Sequence, residues 1–130
     1  MKTLTLDTGA LIALEQKRLR MWKVLHRAHE LAMVPVVPAN VVAEWWRHRS
    51  GIREPILASV SVEPLTEMLA RLAGEALAKI KFATLNVDAA IVMASASQRG
   101  DVVYTSRAKD LAKLQAVFPG VRIISVFSSR

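Results

Sequence analysis

Four acids stand where they could do chemistry: Asp7, Glu44, Asp88 and Asp110. Asp7 ends a short β-type run, Thr3-Leu4-Thr5-Leu6, and precedes the apolar helical run Ala10-Leu11-Ile12-Ala13-Leu14. A carboxylate at the carboxyl end of a strand, just ahead of a helix, is where open α/β sheets keep their chemistry. Asp7-Thr8-Gly9 would also start a helix well as a plain cap, which is the commoner use of such a residue. The choice turns on whether other acids recur at equivalent places. Glu44 is expected early in the helix that follows Val37, in the apolar segment Val41-Val42-Ala43-Glu44-Trp45, where a lone acid needs a partner, a metal or solvent. Asp88 lies in the first turn of an Ala-rich helix, a position that the helix dipole stabilises in any case. Asp110 follows the run Asp101-Val102-Val103-Tyr104-Thr105 by one loop, Ser106-Arg107-Ala108-Lys109. Carboxylates held together repel, and their pKa values rise unless a cation neutralises them. Mg²⁺ and Mn²⁺ accept such oxygen ligands, activate water and offset charge on a phosphodiester oxygen.

The elements that must position these acids alternate between short apolar strands and helices. Strands are expected over Thr3 to Leu6, Met33 to Val37, Val60 to Val62, Asp101 to Thr105 and Val121 to Val126. Helices are expected over Thr8 to Gln16, Leu19 to Glu30, Pro38 to Arg47, Pro64 to Ile80, Asn86 to Arg99 and Leu111 to Val117. Pro35 marks the second strand as imperfect or near an edge. Leu65, Met68, Leu69, Leu72, Leu77 and Ile80 are expected on the inner face of the long helix. Gly74 is either a weak point there or a close-packing contact. Asp101 is expected to shape the turn before its strand. This alternation predicts a three-layer α/β/α fold with a mostly parallel central sheet. Right-handed crossovers would bring the carboxyl ends of the strands, and with them the four acids, to one edge.

The length of 130 residues predicts one domain, residues 1–130. The chain is 52% apolar and 22% charged, which excludes a disordered polymer. No apolar run has the length of a membrane span, and the start lacks the core of a signal peptide. Cysteine is absent, which excludes disulfides and thiolate metal sites and fits a reducing, cytoplasmic setting. The net charge of +7, from 18 Lys and Arg against 11 Asp and Glu, favours an anionic partner. The basic residues fall into three groups: Lys17, Arg18, Arg20, Lys23, His26 and Arg27; then Arg47, His48, Arg49 and Arg53; then Lys79 and Lys81. A basic domain with an acidic metal pocket is coherent for a nuclease. His26 and His29 lack the further His or Cys that would complete a ligand set. Trp22, Trp45 and Trp46 could stack on bases but more often serve a core or partner contact.

Leu-Asp-Thr-Gly-Ala-Leu-Ile-Ala-Leu at positions 6 to 14, Val-Ala-Glu at 42 to 44, Asp88 in its Ala-rich helix and Val-Tyr-Thr-Ser at 103 to 106 resemble the PIN-domain ribonucleases. Within these the chain is similar to the VapC-type toxins of toxin–antitoxin pairs, over nearly its whole length. The resemblance implies a PIN-like fold and a Mg²⁺- or Mn²⁺-dependent endoribonuclease with Asp7, Glu44 and Asp88 as its acidic triad. It also implies a homodimer and a cognate VapB-like antitoxin. Where members often carry a fourth acid, this chain has Arg107, and Asp110 is the expected substitute. Arg107 would then serve the scissile phosphate or a neighbouring carboxylate. Thr8, Thr105 and Ser106 could offer hydroxyls to a phosphate or a metal-bound water, or bond local backbone.

Two other classes compete. One is a non-catalytic PIN-like module that binds RNA or protein, favoured by Arg107. The other is a small phosphatase with an aspartyl nucleophile, but the second acid such enzymes carry two residues later is Gly9 here. No Gly-x-x-x-x-Gly-Lys phosphate loop is present.

Overall fold

The carboxyl edge of the sheet is set by how five short strands are ordered. The computed structural model describes residues 3–47, 51–80 and 86–127. The strands are β1 (Leu4–Leu6), β2 (Val36–Pro38), β3 (Ser61–Glu63), β4 (Val102–Thr105) and β5 (Arg122–Ser125). They form one sheet in the order β3-β2-β1-β4-β5, and every neighbouring pair is parallel. The helices are α1 (Thr8–Glu15), α2 (Leu19–Glu30), α3 (Ala39–Trp45), α4 (Arg53–Ala58), α5 (Glu67–Lys79), α6 (Val87–Arg99) and α7 (Ala108–Ala112), the last continued by a 3₁₀ turn over Lys113–Ala116.

From β1 the chain steps outward to β2 and β3, then crosses back to β4 and outward again to β5. Right-handed connections therefore put α1 to α4 on one face and α5 to α7 on the other. The winding direction reverses between β1 and β4, which pair at Leu4–Val102, Thr5–Val103 and Leu6–Tyr104. A crevice opens at such a switch point, outside the strand ends, and this is where open α/β sheets bind ligands. Asp7 leaves β1 and Ser106 leaves β4 at that crevice.

Local chemistry explains the bounds of α6. The Asn86 side chain accepts the Ala89 N–H at 2.8 Å and starts α6. Gly100 ends α6 at φ 71°, a left-handed conformation that glycine adopts without strain. Between these caps Ala89 to Ala96 are all buried, because small side chains let α6 lie close to the sheet. Thr84 and Leu85, which precede the expected start of this helix in the sequence, lie outside the described residues.

Several expectations need correction. Strand β2 is interior rather than near an edge, lying between β1 and β3. Pro35 precedes it and Pro38 ends it, so neither proline interrupts the ladder in mid-strand. Pro38 is the last residue of β2 and the cap of α3, not a helical residue. Helix α5 starts at Glu67 rather than Pro64, with the Thr66 hydroxyl accepting the Leu69 N–H at 3.2 Å. Leu69 is buried and Leu72, Leu77 and Ile80 pack against the core as expected, whereas Leu65 and Met68 are exposed. Ala73 and Ala76 join this face because α5 packs along α6. Gly74 is open to space, so it is no packing contact.

Asp101 does more than shape a turn. It is buried, accepts the Thr3 N–H at 2.7 Å and the Thr5 hydroxyl at 2.8 Å, and pairs with Arg99 Nε at 2.7 Å. Arg99 also reaches Glu63 Oε2 at 2.5 Å, and Ser95 donates to Glu63 Oε1 at 2.5 Å. This network ties β3, β1 and β4 to the end of α6. No helix among the described residues is long and apolar enough to cross a membrane.

Candidate active site

Asp7 is 3% exposed. One carboxylate oxygen accepts the Ala10 N–H at 3.2 Å, and the other accepts the Thr105 hydroxyl. Asp7 is thus the helix cap anticipated as its bland role, and it is also a buried charge at the switch point. Burial pushes its carboxyl above the usual range. The Thr105 and Ala10 hydrogen bonds, the Arg107 guanidinium and the Gly9 backbone hydrogen bond act against that rise. A cap alone needs no such burial, since most capping acids stay in water.

Thr105 is fully buried and shapes this loop. Its hydroxyl donates to Asp7 and accepts the Arg107 N–H at 2.9 Å. It therefore orients Asp7 and is out of reach of a substrate phosphate as placed. Arg107 stands at the N-cap position of α7 without a side-chain cap hydrogen bond, and its positive charge acts against the rise of the Asp7 carboxyl. Thr8 is the first residue of α1 and is half-buried.

The β1 and β4 loops touch through Gly9 and Ser106. A Cβ on Gly9 would stand 2.1 Å from Ser106 Oγ and 2.8 Å from Ser106 N. The hydroxyl can rotate away but the backbone nitrogen cannot, so only glycine lets the loops close over Asp7. Gly9→Ala is expected to destabilise the fold by roughly 1–3 kcal/mol, as forced overpacking does. Urea denaturation checks this, and an unchanged midpoint would mean that the loops part without strain.

The other acids sit around this point on different elements. Asp88 is in the first turn of α6, and its Oδ1 accepts from Asn40 Nδ2 at 3.1 Å. Asn40 lies in the first turn of α3, and its own Oδ1 is buried without a hydrogen-bond partner. The sequence reading missed this residue; its signal was a polar side chain one turn past a strand end in an apolar helix. Glu44 is not early in its helix as expected. Helix α3 has only seven residues, and Glu44 falls in its last turn. Asp110 is in the first turn of α7, partly exposed, with Oδ1 3.9 Å from Lys113 Nζ along the same helix.

The donor chemistry fits a hard cation: carboxylate oxygens, one of them carrying a buried charge, beside an unmet amide oxygen. Among the described residues, however, no three His, Asp or Glu side chains stand as a group that could hold a metal ion. Asp7 and Asp88 are brought to the same edge by β1, α3 and α6. Asp110 likewise stands in the first turn of its helix, after β4, whereas Glu44 stands in the last turn of α3.

The remaining candidates have structural partners. Trp45 is buried and donates to Glu15 Oε1 at 2.5 Å, whereas Trp46 is exposed. Arg53, counted by sequence among surface bases, is buried, with Nε 3.3 Å from Glu15 Oε2 and its guanidinium against both indoles. Trp22 donates to the Leu14 carbonyl at 3.0 Å. His29 contacts the Ser59 carbonyl at 2.8 Å, and His26 lies 3.8 Å from Glu30. His48, Arg49 and Lys81 lie outside the described residues.

No family profile and no curated protein sequence matches the chain. Solved structures do. A DNA-bound VapBC from Salmonella typhimurium superposes with a TM-score of 0.76 and 17% identity, over 96% of this chain and 98% of that one. A toxin–antitoxin complex from Klebsiella pneumoniae gives 0.66 and 20%, over 92% and 95%. FitAB bound to an IR36 DNA fragment gives 0.64 and 18%, over 100% and 98%. At these identities the likeness is one of fold, and it bears out the resemblance seen in the sequence: the chain has the PIN-like α/β fold of VapBC-type toxin–antitoxin structures.

Proposed function

We propose that the chain is a Mg²⁺- or Mn²⁺-dependent endoribonuclease, the toxin of a VapBC-like pair that works in the cytoplasm as a homodimer controlled by a cognate antitoxin. The observation that carries this reading is Asp7: a carboxylate buried at the switch point, held by Thr105 and Ala10, its ionised form disfavoured by desolvation. A protein that bears such a buried charge gains when a cation binds there. Asp7 and Asp88 would hold the ion, with Glu44 and Asp110 closing on it and Asn40 Oδ1 beside Asp88. When bound, it would supply Lewis acidity and an activated water for phosphodiester hydrolysis. Thr105 keeps Asp7 pointed at the crevice. Arg107 lowers the energy of the ionised carboxylate until the cation arrives and then faces the RNA phosphate. The basic surface contributes the salt-sensitive part of RNA affinity.

A specific observation favours a second reading, a non-catalytic PIN-like RNA- or protein-binding module: three acids do not stand as a ready ligand group among the described residues. One pair of variants separates the two. Asp110→Asn is expected to raise the Mn²⁺ concentration for half-maximal cleavage by roughly tenfold, the scale of a lost outer ligand. Arg107→Ala is expected to raise the RNA concentration needed by roughly tenfold, the scale of one charged hydrogen bond, without raising the Mn²⁺ requirement. If neither variant moves either quantity, Asp110 and Arg107 leave the site; if wild type shows no metal-dependent cleavage at all, the non-catalytic reading replaces the nuclease.

A further inference from the structure

A second feature of the carboxyl edge holds no acid. A cleft of about 250 Å³ opens beside the Gly9–Ser106 contact, with Ile12, Gln16, Arg18 and Phe127 among its walls. Phe127 follows β5 and is 63% exposed. Single exposed apolar residues are common and mean little alone. This one has a cation and a hydrogen-bonding group set around it. The Arg18 guanidinium lies 5.4 Å from the ring centroid. Arg18 Nε is 3.4 Å from Gln16 Oε1, so the amide stands at the same rim. The cleft is also tied to the candidate active site: Val126, next to Phe127, donates its N–H to the carbonyl of Thr105 at 2.9 Å, and Thr105 holds Asp7.

We propose that this cleft is a subsite for one unpaired nucleobase of the RNA, stacked on Phe127 and bounded by Arg18 and Gln16. The proposal rests on the ribonuclease reading and deepens it by assigning a base contact to a cleft whose lining contains no acid. Each wall suits a planar, polar-edged group next to a phosphate. An exposed aromatic ring with a guanidinium beside it offers two flat surfaces of the kind on which unpaired bases stack. The glutamine amide carries both a donor and an acceptor for a base edge. Ile12 and Ala13 add apolar lining. Arg18 adds positive charge where the strand would leave the crevice. A helix from a protein partner would need a longer apolar groove than this short cleft beside two loops.

The test uses the full chain carrying Asp7→Asn, so that RNA is bound and not cut. Fluorescence anisotropy would compare a short single-stranded oligoribonucleotide with an abasic strand of the same length and phosphate count. The protein is expected to prefer the base-bearing strand by roughly fivefold or more, the scale of one aromatic stack. Phe127→Ala should abolish that preference while leaving abasic affinity within about twofold, and Phe127→Tyr should restore it. Preference retained in Phe127→Ala overturns the subsite. So does an unchanged preference accompanied by a shift in oligomeric state, which would assign the ring to a protein contact. If neither strand binds, the ribonuclease reading falls together with the subsite. If wild type cleaves RNA and the preference ignores Phe127, the subsite alone falls.

Discussion

Asp7→Asn should make the metal-free chain more stable while removing cleavage. Burial raises the Asp7 carboxyl above its ordinary 3.8, so the folded state holds this proton more tightly than the unfolded state does. Between that ordinary value and the raised one, ionisation penalises folding; below both there is no difference, and above both the penalty is complete. Asparagine removes the charge and keeps the shape. Its amide oxygen can still accept from Ala10, so the cap survives; the bond to Thr105 reverses, with the NH₂ donating and the Thr105 hydroxyl proton losing its acceptor, a smaller cost than a buried charge. Melting in chelator should therefore show a gain at neutral pH, absent in strong acid, with each kcal/mol relieved appearing as roughly 2–8 °C. Mn²⁺ should raise the melting temperature of wild type, since a ligand of the folded state stabilises it, and leave Asp7→Asn nearly unmoved. Cleavage should fall on the order of 10²-fold or more, the loss seen when one electrostatic element of a site is removed. A variant less stable than wild type at neutral pH would mean that the hydrogen bonds to the carboxylate outweigh its desolvation.

Arg99→Ala should be the most damaging change away from the site. It strips the cation from Glu63 and from Asp101, and the Asp101 side chain is 0% exposed. Breaking a buried ion pair from one side typically costs about 3–5 kcal/mol, because the remaining charge stays desolvated. Three strands and α6 meet at this residue, so urea denaturation should show the loss across the whole fold. Arg99→Met combined with Asp101→Asn should be markedly less damaging, since the fully buried charge is gone and the one acid left without Arg99, Glu63, is 27% exposed and keeps its Ser95 hydrogen bond. If the double variant is no better than Arg99→Ala, the network acts through packing rather than charge.

What the sequence made legible was governed by local rules. Helix α2 begins and ends at Leu19 and Glu30 as its periodicity predicts, and Asn86 and Gly100 cap α6 by side-chain and left-handed geometry. Asp7 was visible because a strand end, an acid and a helix start are adjacent in the chain. What was not legible depends on distant partners. Glu63, Arg99 and Asp101 join across separations of up to 36 residues, and Asp101 meets Thr3 across 98. Arg53 reads as a surface base until Glu15, 38 residues away, is beside it. Along α5 the bulky residues Leu69, Leu72, Leu77 and Ile80 do face the core, but the closeness of α6 adds Ala73 and Ala76, and Leu65 and Met68 stay exposed because the helix starts later than Pro64 suggests. Glu44 was placed early in its helix because the short length of α3 cannot be read from an apolar run that continues past Trp45. Asn40 and Phe127 carry no motif, and only the fold sets them beside Asp88 and the Gly9 loop.

The most direct test is cleavage of a mixed, structured RNA pool by purified wild type with Mn²⁺ or Mg²⁺, with chelator, and with metal restored after chelation, alongside Asp7→Asn. Discrete fragments should appear with metal, vanish with chelator, return on metal addition and remain absent for Asp7→Asn. Fragments that persist in chelator, or that Asp7→Asn yields as fast as wild type, would contradict a metal-dependent nuclease centred on Asp7.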